Sequence, residues 1–463
     1  MNNKGILSCF KAYDIRGRVP DELDAELCAG LGQTLVAQFD LSGGVVLGRD
    51  VRPSGVELVN ALSDSLRDAG VDVTDIGICG TEEIYFATAR HGFSLGVMLT
   101  ASHNPPEYNG LKMVLAGAVP LSADSGLFEL RDRIIRRDFK AAKAGRKGTL
   151  HHASYREEYV DYLLSCLDER AREHPLKIVM NPGNGCAGLV LDELLPQLCG
   201  DFIIINSQPD GSFPNGVPNP LLPERRADTA GAVRKAGADL GLAWDGDFDR
   251  CFFYGGDAEF IESYYLIGLF ARKILQKYPG GRVIHDTRLI WNTIEQVRQA
   301  GGIPLEGKTG HAFMKERLRR DDGIYGGEMS AHHYFKDFYC CDSGMLPWIL
   351  LLNILAEEGK PLEELVAERI RAYPCSGEIN FQIAEQKLAG ELRALVLERF
   401  AGEIKSFNHI DGLSADCGNW RFNLRSSNTE PLLRLNVEAR GDAALLRDKT
   451  GQISALINAH AGV

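Results

Sequence analysis

Short apolar runs alternate along the chain with longer amphipathic stretches. The runs at 44–47, 71–76, 95–99, 176–180 and 239–243, and the pair Val283 and Ile284, are too brief for helices and partly β-branched, so they predict strands. The stretches over 25–39, 54–69, 156–167 and 264–277 have helical spacing, and a further helix opens at 80–87 with Thr81 as its expected N-cap. Strands alternating with helices of this length indicate βαβ units, whose strands are buried on both faces. After Pro374 the pattern changes. Residues alternate over 378–383, a helix follows through Phe400, and strands are expected over 420–424 and 432–437, which predicts a smaller α+β domain with an antiparallel sheet.

A chain of 463 residues is too long for one core. The polar stretch 138–147 has the composition of a linker, and domains are expected over 1–148, 149–253, 254–370 and 371–463. With 44% apolar and 25% charged residues the composition is that of an ordinary soluble protein. Acidic residues exceed basic ones, 63 to 51, and no long Lys/Arg run occurs, so nucleic acid is not an expected partner. The same net charge repels anionic substrates at long range, so a phosphate ligand needs local arginines. The apolar run 345–356 is broken by Asn353 and too short to span a bilayer; it predicts a buried helix and no membrane association. Residues 1–10 lack an apolar core of signal-peptide length, and the 11 cysteines show no C-x-x-C spacing, which together predict reduced thiols in the cytoplasm.

Chemistry-bearing residues gather where predicted strands end. The run 95–99 delivers Thr100-Ala101-Ser102-His103-Asn104-Pro105-Pro106 into a loop that two prolines stiffen. In open α/β sheets, ligands and catalytic groups sit at the carboxyl ends of strands. The strand at 239–243 ends in Trp244-Asp245-Gly246-Asp247-Phe248-Asp249-Arg250, where alternate carboxylates turn to one side and suit a hard divalent cation; an acidic turn that binds nothing has the same sequence. It is not an EF-hand, since its twelfth position is Gly256. The Gly-rich stretch 181–188 reads either as a phosphate-holding turn or as a tight turn alone. Glu328, Ser330 and His332 share a Gly-led loop whose carboxylate and hydroxyl match neighbouring sugar hydroxyls. Arg425, Ser427, Asn428 and Thr429, with Arg434 beyond, have the donors of a phosphate nest.

These motifs, in this order, resemble those of the α-D-phosphohexomutase superfamily: Tyr13-Asp14-Ile15-Arg16-Gly17, the Ser102 loop followed by Tyr108-Asn109-Gly110-Leu111-Lys112, the three-aspartate loop, the Gly327-Glu328-Met329-Ser330-Ala331-His332 loop and the Arg425 loop. The resemblance spans nearly the whole chain. It departs at Phe248, where the family usually has glycine, and at Ala331. Phe248, Met329, Gly80 to Ala87 and 285–293 are similar to the phosphomannomutase branch, which feeds GDP-mannose synthesis. The resemblance implies four domains around a central cleft, three mixed α/β domains of similar topology plus the C-terminal α+β domain.

It also implies an activity: reversible interconversion of mannose 6-phosphate and mannose 1-phosphate through phosphorylated Ser102 and a hexose 1,6-bisphosphate, which serves as activator. One Mg2+ per chain is expected on Ser102, Asp245, Asp247 and Asp249. Arg16, His103, Lys112 and Arg250 would assist transfer, and His311 or His332 would be the general acid/base. Tyr13, Arg288, Lys308, Glu328, Ser330, His332, Arg425, Ser427, Asn428, Thr429 and Arg434 would bind the sugar phosphate. Expected partners are small hexose phosphates, with the chain a monomer or homodimer. The alternatives are a phosphoglucomutase, a dual-specificity enzyme, or a non-catalytic sugar-phosphate sensor.

Overall fold

A computed structural model describes residues 3–138, 145–385, 387–426 and 432–461. Part of the expected linker (139–144) and Ser427, Asn428 and Thr429 lie outside the described residues. The chain divides into two compact units: Met1–Phe260 with His332–Gly359, and Ile261–Ala331 with Lys360–Val463.

The first unit holds two mixed sheets. In one, the strands run in the order Ile15–Arg18, Tyr108–Leu115, Leu95–Leu99, Val45–Arg49, Val73–Ile78, Leu150–His152. Val45–Arg49 lies parallel to Leu95–Leu99, as βαβ units require, but Tyr108–Leu115 turns back antiparallel beside it. Helices Ala25–Gln38 and Gly55–Asp68 pack their apolar sides on this sheet, and Leu31, Leu35, Leu62, Val97 and Leu99 are among the core they close. The other sheet repeats the device: Leu240–Trp244 runs parallel to Lys177–Asn181 and is followed by the antiparallel Cys251–Gly255. The Ser102 loop and the three-aspartate loop therefore occupy equivalent places, each joining a buried parallel strand to an antiparallel return. The apolar run before residue 356 is the buried helix Leu346–Glu358, and Asn353, which interrupts it, donates to the Cys166 carbonyl and accepts from Asp168 N–H.

In the second unit, Arg282–His285 lies parallel to Ile303–Glu306 and Gly323–Gly327. The smaller C-terminal domain is an antiparallel sheet in the order Ile379–Gln382, Leu432–Ala439, Trp420–Ser426, Leu413–Asp416, Ser406–Asn408. Helices Leu388–Arg399 and Ala443–His460 cover a core that includes Leu392, Val396, Phe422, Leu435 and Ile457. Two local expectations change. Thr81 is the first residue of helix Thr81–His91 and Gly80 is the cap, because Thr81's hydroxyl is drawn to Asp247 instead. Arg425 lies within strand Trp420–Ser426 rather than in the turn after it.

Candidate active site

Strand Leu95–Leu99 is wholly buried, and the loop beyond it is fixed by its own polar groups. Ser102 N–H donates to Thr100 Oγ1 at 2.8 Å, and Thr100 Oγ1 donates to Asp50 Oδ2 at 2.8 Å. Asp50 also accepts from Arg52 N–H and Nε. The fully buried Arg52 guanidinium then donates to the carbonyls of Ser102 (2.9 Å), Asn104 (2.6 Å), Pro105 (2.5 Å) and Tyr108 (3.0 Å). With four main-chain acceptors on one planar cation, the loop is held at both ends and Ser102 keeps a left-handed φ of 48°. Sequence patterns alone assign Asp50 and Arg52 no role; the Asp-x-Arg spacing directly after a strand is the signal that reveals them.

Ser102 Oγ donates to Asp245 Oδ2 at 2.7 Å and lies 3.0 Å from His103 Nδ1. Arg250 Nη2 reaches the same His103 nitrogen at 2.5 Å, and a guanidinium can only donate, so Nδ1 accepts. Burial, then the charges of Arg250 and Arg16, push the His103 pKa well below its ordinary value, consistent with a neutral ring. Arg16 bridges Asp14 Oδ2 and Asn104 Oδ1, with half-buried Tyr13 in the turn before it.

Asp245, Asp247 and Asp249 are buried and each offers an oxygen within 4.8 Å of the others. Lys112 Nζ donates to Oδ2 of Asp247 at 2.7 Å and of Asp249 at 2.5 Å, while Thr81 Oγ1 adds a bond to Asp247. Oδ1 of Asp247 and Oδ1 of Asp249 are buried with no hydrogen-bond partner. Orphaned carboxylate oxygens cost free energy unless a cation meets them, so this donor set fits a hard divalent ion beside Ser102. Burial alone would discharge Lys112, but the two carboxylates outweigh it and hold its pKa above the ordinary value. Burial opposes ionisation of Asp247 too, and Lys112 overrides it, whereas burial and the neighbouring Asp247 push Asp249 upward.

Close backbone packing joins the two loops. A Cβ on Gly246 would stand 2.6 Å from the Ser102 carbonyl oxygen. The Gly-rich stretch 181–188 buttresses this loop: Cys186 N–H donates to the Gly246 carbonyl, and Gly183, Asn184 and Gly185 N–H groups bond Asn181, Asn206 and Pro182. It is a tight turn, with those donors already spent. His332 also reaches the acidic group, its Nδ1 3.2 Å from Asp342 Oδ2 and 3.8 Å from Asp249 Oδ1. Asp342 is fully buried; nothing in the sequence Cys341-Asp342-Ser343 marks it as part of the site.

In the second unit Asp286-Thr287-Arg288 repeats the Asp-x-Arg turn: Arg288 N–H and Nε both donate to Asp286. Asp286 Oδ2 also accepts from Met329 N–H, and Arg288 Nη2 donates to Ser330 Oγ at 3.2 Å and lies 3.7 Å from Glu328. Glu328 accepts from Gly310 N–H, beside buried His311. Lys308 is exposed, its ammonium 4.4 Å from the centre of the Phe313 ring. Arg425 and Arg434 are cross-strand partners, and both contact Glu378. The unit thus brings Arg288, Glu328 and Ser330 together, and Glu378 links Arg288 to the pair Arg425 and Arg434.

Models of the phosphoglucomutase/phosphomannomutase α/β/α domains I, II and III match residues 8–141, 157–257 and 262–373, and that of the C-terminal domain matches 378–453. A Xanthomonas campestris pv. campestris protein named for phosphohexose mutases is 53% identical over 97% of this chain and 99% of its own length. The chain belongs to the phosphoglucomutase/phosphomannomutase family. A Salmonella montevideo phosphomannomutase is 50% identical over 99% of this chain and 100% of its own. The crystal structure of a phosphoglucomutase/phosphomannomutase family protein from Burkholderia thailandensis, 33% identical, superposes with a TM-score of 0.86 over 98% of this chain and 97% of its own. Phe248 has a φ of 46°, in the region that favours glycine. The bare Gly80 makes room for its ring, since any Cβ there would come within 2.0 Å of it. Ala331 likewise takes a φ of 71°.

Proposed function

We propose that this family member is a phosphomannomutase that interconverts mannose 6-phosphate and mannose 1-phosphate through phosphorylated Ser102. The observation that carries the reading is the Ser102 hydroxyl hydrogen-bonded to a buried three-aspartate group, in a chain about as long as its phosphomannomutase relatives and half identical to them. In the forward half-reaction the bond between phosphorus and Ser102 Oγ breaks and a bond to the free sugar hydroxyl forms, while that hydroxyl's proton passes to a base. The second half-reaction runs the same chemistry backward on the other phosphate of the hexose 1,6-bisphosphate, which also primes Ser102. Bound at Asp245, Asp247 and Asp249, Mg2+ supplies charge neutralisation at the transferring oxygens.

The chain's own residues do the rest. Lys112, Arg250 and Arg16 neutralise charge on the departing Ser102 oxygen and the transferring group. Between the two histidines the geometry favours His332 as the base, because Asp342 at 3.2 Å can orient its ring and stabilise the protonated form. Glu328 and Ser330 would read ring hydroxyls, positioned by Asp286 and Arg288; Arg425, Arg434 and residues 427–429 would hold the distant phosphate. Eleven free thiols support a reducing compartment, the cytoplasm; no described helix is long and apolar enough to cross a membrane. The test is a coupled assay on mannose 1-phosphate and glucose 1-phosphate side by side, with bisphosphate activator and Mg2+. Turnover of mannose 1-phosphate supports the assignment. Turnover of glucose 1-phosphate alone makes the chain a phosphoglucomutase, and turnover of neither leaves a sensor.

A further inference from the structure

Glu378 stands at the start of strand Ile379–Gln382, which pairs with Leu432–Ala439 and sets Asn380 opposite Arg434. Arg434 is in turn the cross-strand partner of Arg425, so the two guanidiniums share one face of the sheet. The Glu378 carboxylate lies across both: Arg425 Nη2 donates to Oε2 at 3.2 Å, and Arg434 Nη1 is 3.3 Å from Oε1. Arg288 is 3.6 Å from the same group, but its charge is already met by Asp286 at 2.5 Å. Glu378 and Arg425 are both more than nine-tenths buried. Burial opposes a charge on Glu378, yet Arg288, Arg425 and Arg434 outweigh it and lower its pKa, so it is an anion at neutral pH.

We propose that Glu378 is a built-in counter-anion that occupies the arginine fork in competition with substrate phosphate and so sets a weak, rapidly exchanging grip. This rests on the reading of Arg425 and Arg434 as the distal phosphate site. The carboxylate holds both guanidiniums in place when no ligand is present, and an incoming phosphate must share or displace it. For a mutase the consequence is useful. The sugar binds in two orientations and the bisphosphate has to turn over, so the distant phosphate must be released in every cycle. A fork of unopposed arginines would slow that release.

The test is calorimetric binding of inorganic phosphate to the full chain: wild type, Glu378→Gln, and Glu378→Gln combined with Arg425→Ala. Removing the competing charge should tighten phosphate binding about tenfold, the scale of one charge-assisted hydrogen bond, and adding Arg425→Ala should abolish the gain. Glu378→Asp withdraws the carboxylate by one methylene and should tighten binding to a lesser degree; it decides the matter alone if the glutamine variant does not fold. Unchanged or weaker phosphate binding in a variant with wild-type circular dichroism would overturn the proposal, as would a gain that survives Arg425→Ala. Hexose phosphate kinetics provide a separate arm, with both KM and kcat expected to fall in Glu378→Gln. If phosphate binding tightens in Glu378→Gln but wild type turns over no hexose phosphate, the mutase reading fails and the role of Glu378 stands.

Discussion

Ser102 Oγ and Asp245 Oδ2 meet at 2.7 Å, although 143 residues separate them in sequence. Two hairpin loops from two sheets make that contact, and Gly246 allows it by offering no side chain to the Ser102 carbonyl. The hydroxyl that would carry phosphate is thus tied directly to one of three carboxylates able to hold a cation.

Asp247→Asn removes one of the three charges and one of Lys112's two partners. Mg2+ affinity should fall by at least the roughly tenfold to hundredfold that loss of a residue behind a ligand costs, because Asp247 is itself one of the three carboxylates that would hold the ion. Chelation by EDTA should abolish wild-type turnover and Mg2+ restore it. Calorimetric Mg2+ titration and activity against free Mg2+ check this; full activity in metal-free buffer contradicts the site.

Arg52→Lys keeps the charge but loses the fork that binds four loop carbonyls. Stability to urea should fall by about 3 kcal/mol. The kcat should fall tenfold or more, since a small displacement of a reacting group is costly, while KM moves little. An equal change in KM, or unchanged kcat, would show that Arg52 does not position Ser102.

Much of this is legible in the sequence. The buried strands announce themselves as apolar runs, whereas the Asp-x-Asp-x-Asp spacing is shared with acidic turns that bind nothing and takes its meaning from the burial of its carboxylates. Strand Tyr108–Leu115 carries no such mark, because the site loads its buried positions with Asn109 and Lys112, which break the alternation. Helix Ala443–His460 and the short strands at 406–408 and 413–416 also escape, since the helix has a weak apolar stripe interrupted by Gly451 and the strands are brief. Asp342 acts through contacts distant in sequence, which local patterns do not encode, and the Asp-x-Arg spacing of Asp50 and Arg52 does not by itself say which loop carbonyls Arg52 will hold. Thr81 looks like a helix cap because a threonine before a helical stretch usually is one; a carboxylate from another sheet claims its hydroxyl.

Arg425→Ala should raise KM for mannose 1-phosphate and mannose 6-phosphate alike, by about ten- to a hundredfold, the worth of a charge-assisted hydrogen bond to phosphate. Arg425→Lys should recover only part of the loss. Steady-state kinetics on both isomers check this; unchanged constants for both would place the distal phosphate elsewhere.

His333 is fully buried, and burial followed by the charge of His332 lowers its pKa to about 3. The unfolded chain therefore binds a proton that the folded one refuses. Its contribution is fully present above the unfolded value of about 6.5 and is lost as pH falls below that, at up to ~1.4 kcal/mol per pH unit. Urea unfolding at about pH 7.5 and pH 5 should show a smaller loss on acidification in His333→Gln than in wild type. An equal loss in both would remove His333 from the balance.

The central claim is that Ser102 carries the phosphoryl group. Mass spectrometry of the protein after incubation with a hexose 1,6-bisphosphate and Mg2+ tests it most directly. One phosphoryl group per chain, mapped to the peptide containing Ser102 and absent from Ser102→Ala, is the predicted result. A phosphoryl group on another residue, or turnover near the wild-type rate in Ser102→Ala, would contradict it.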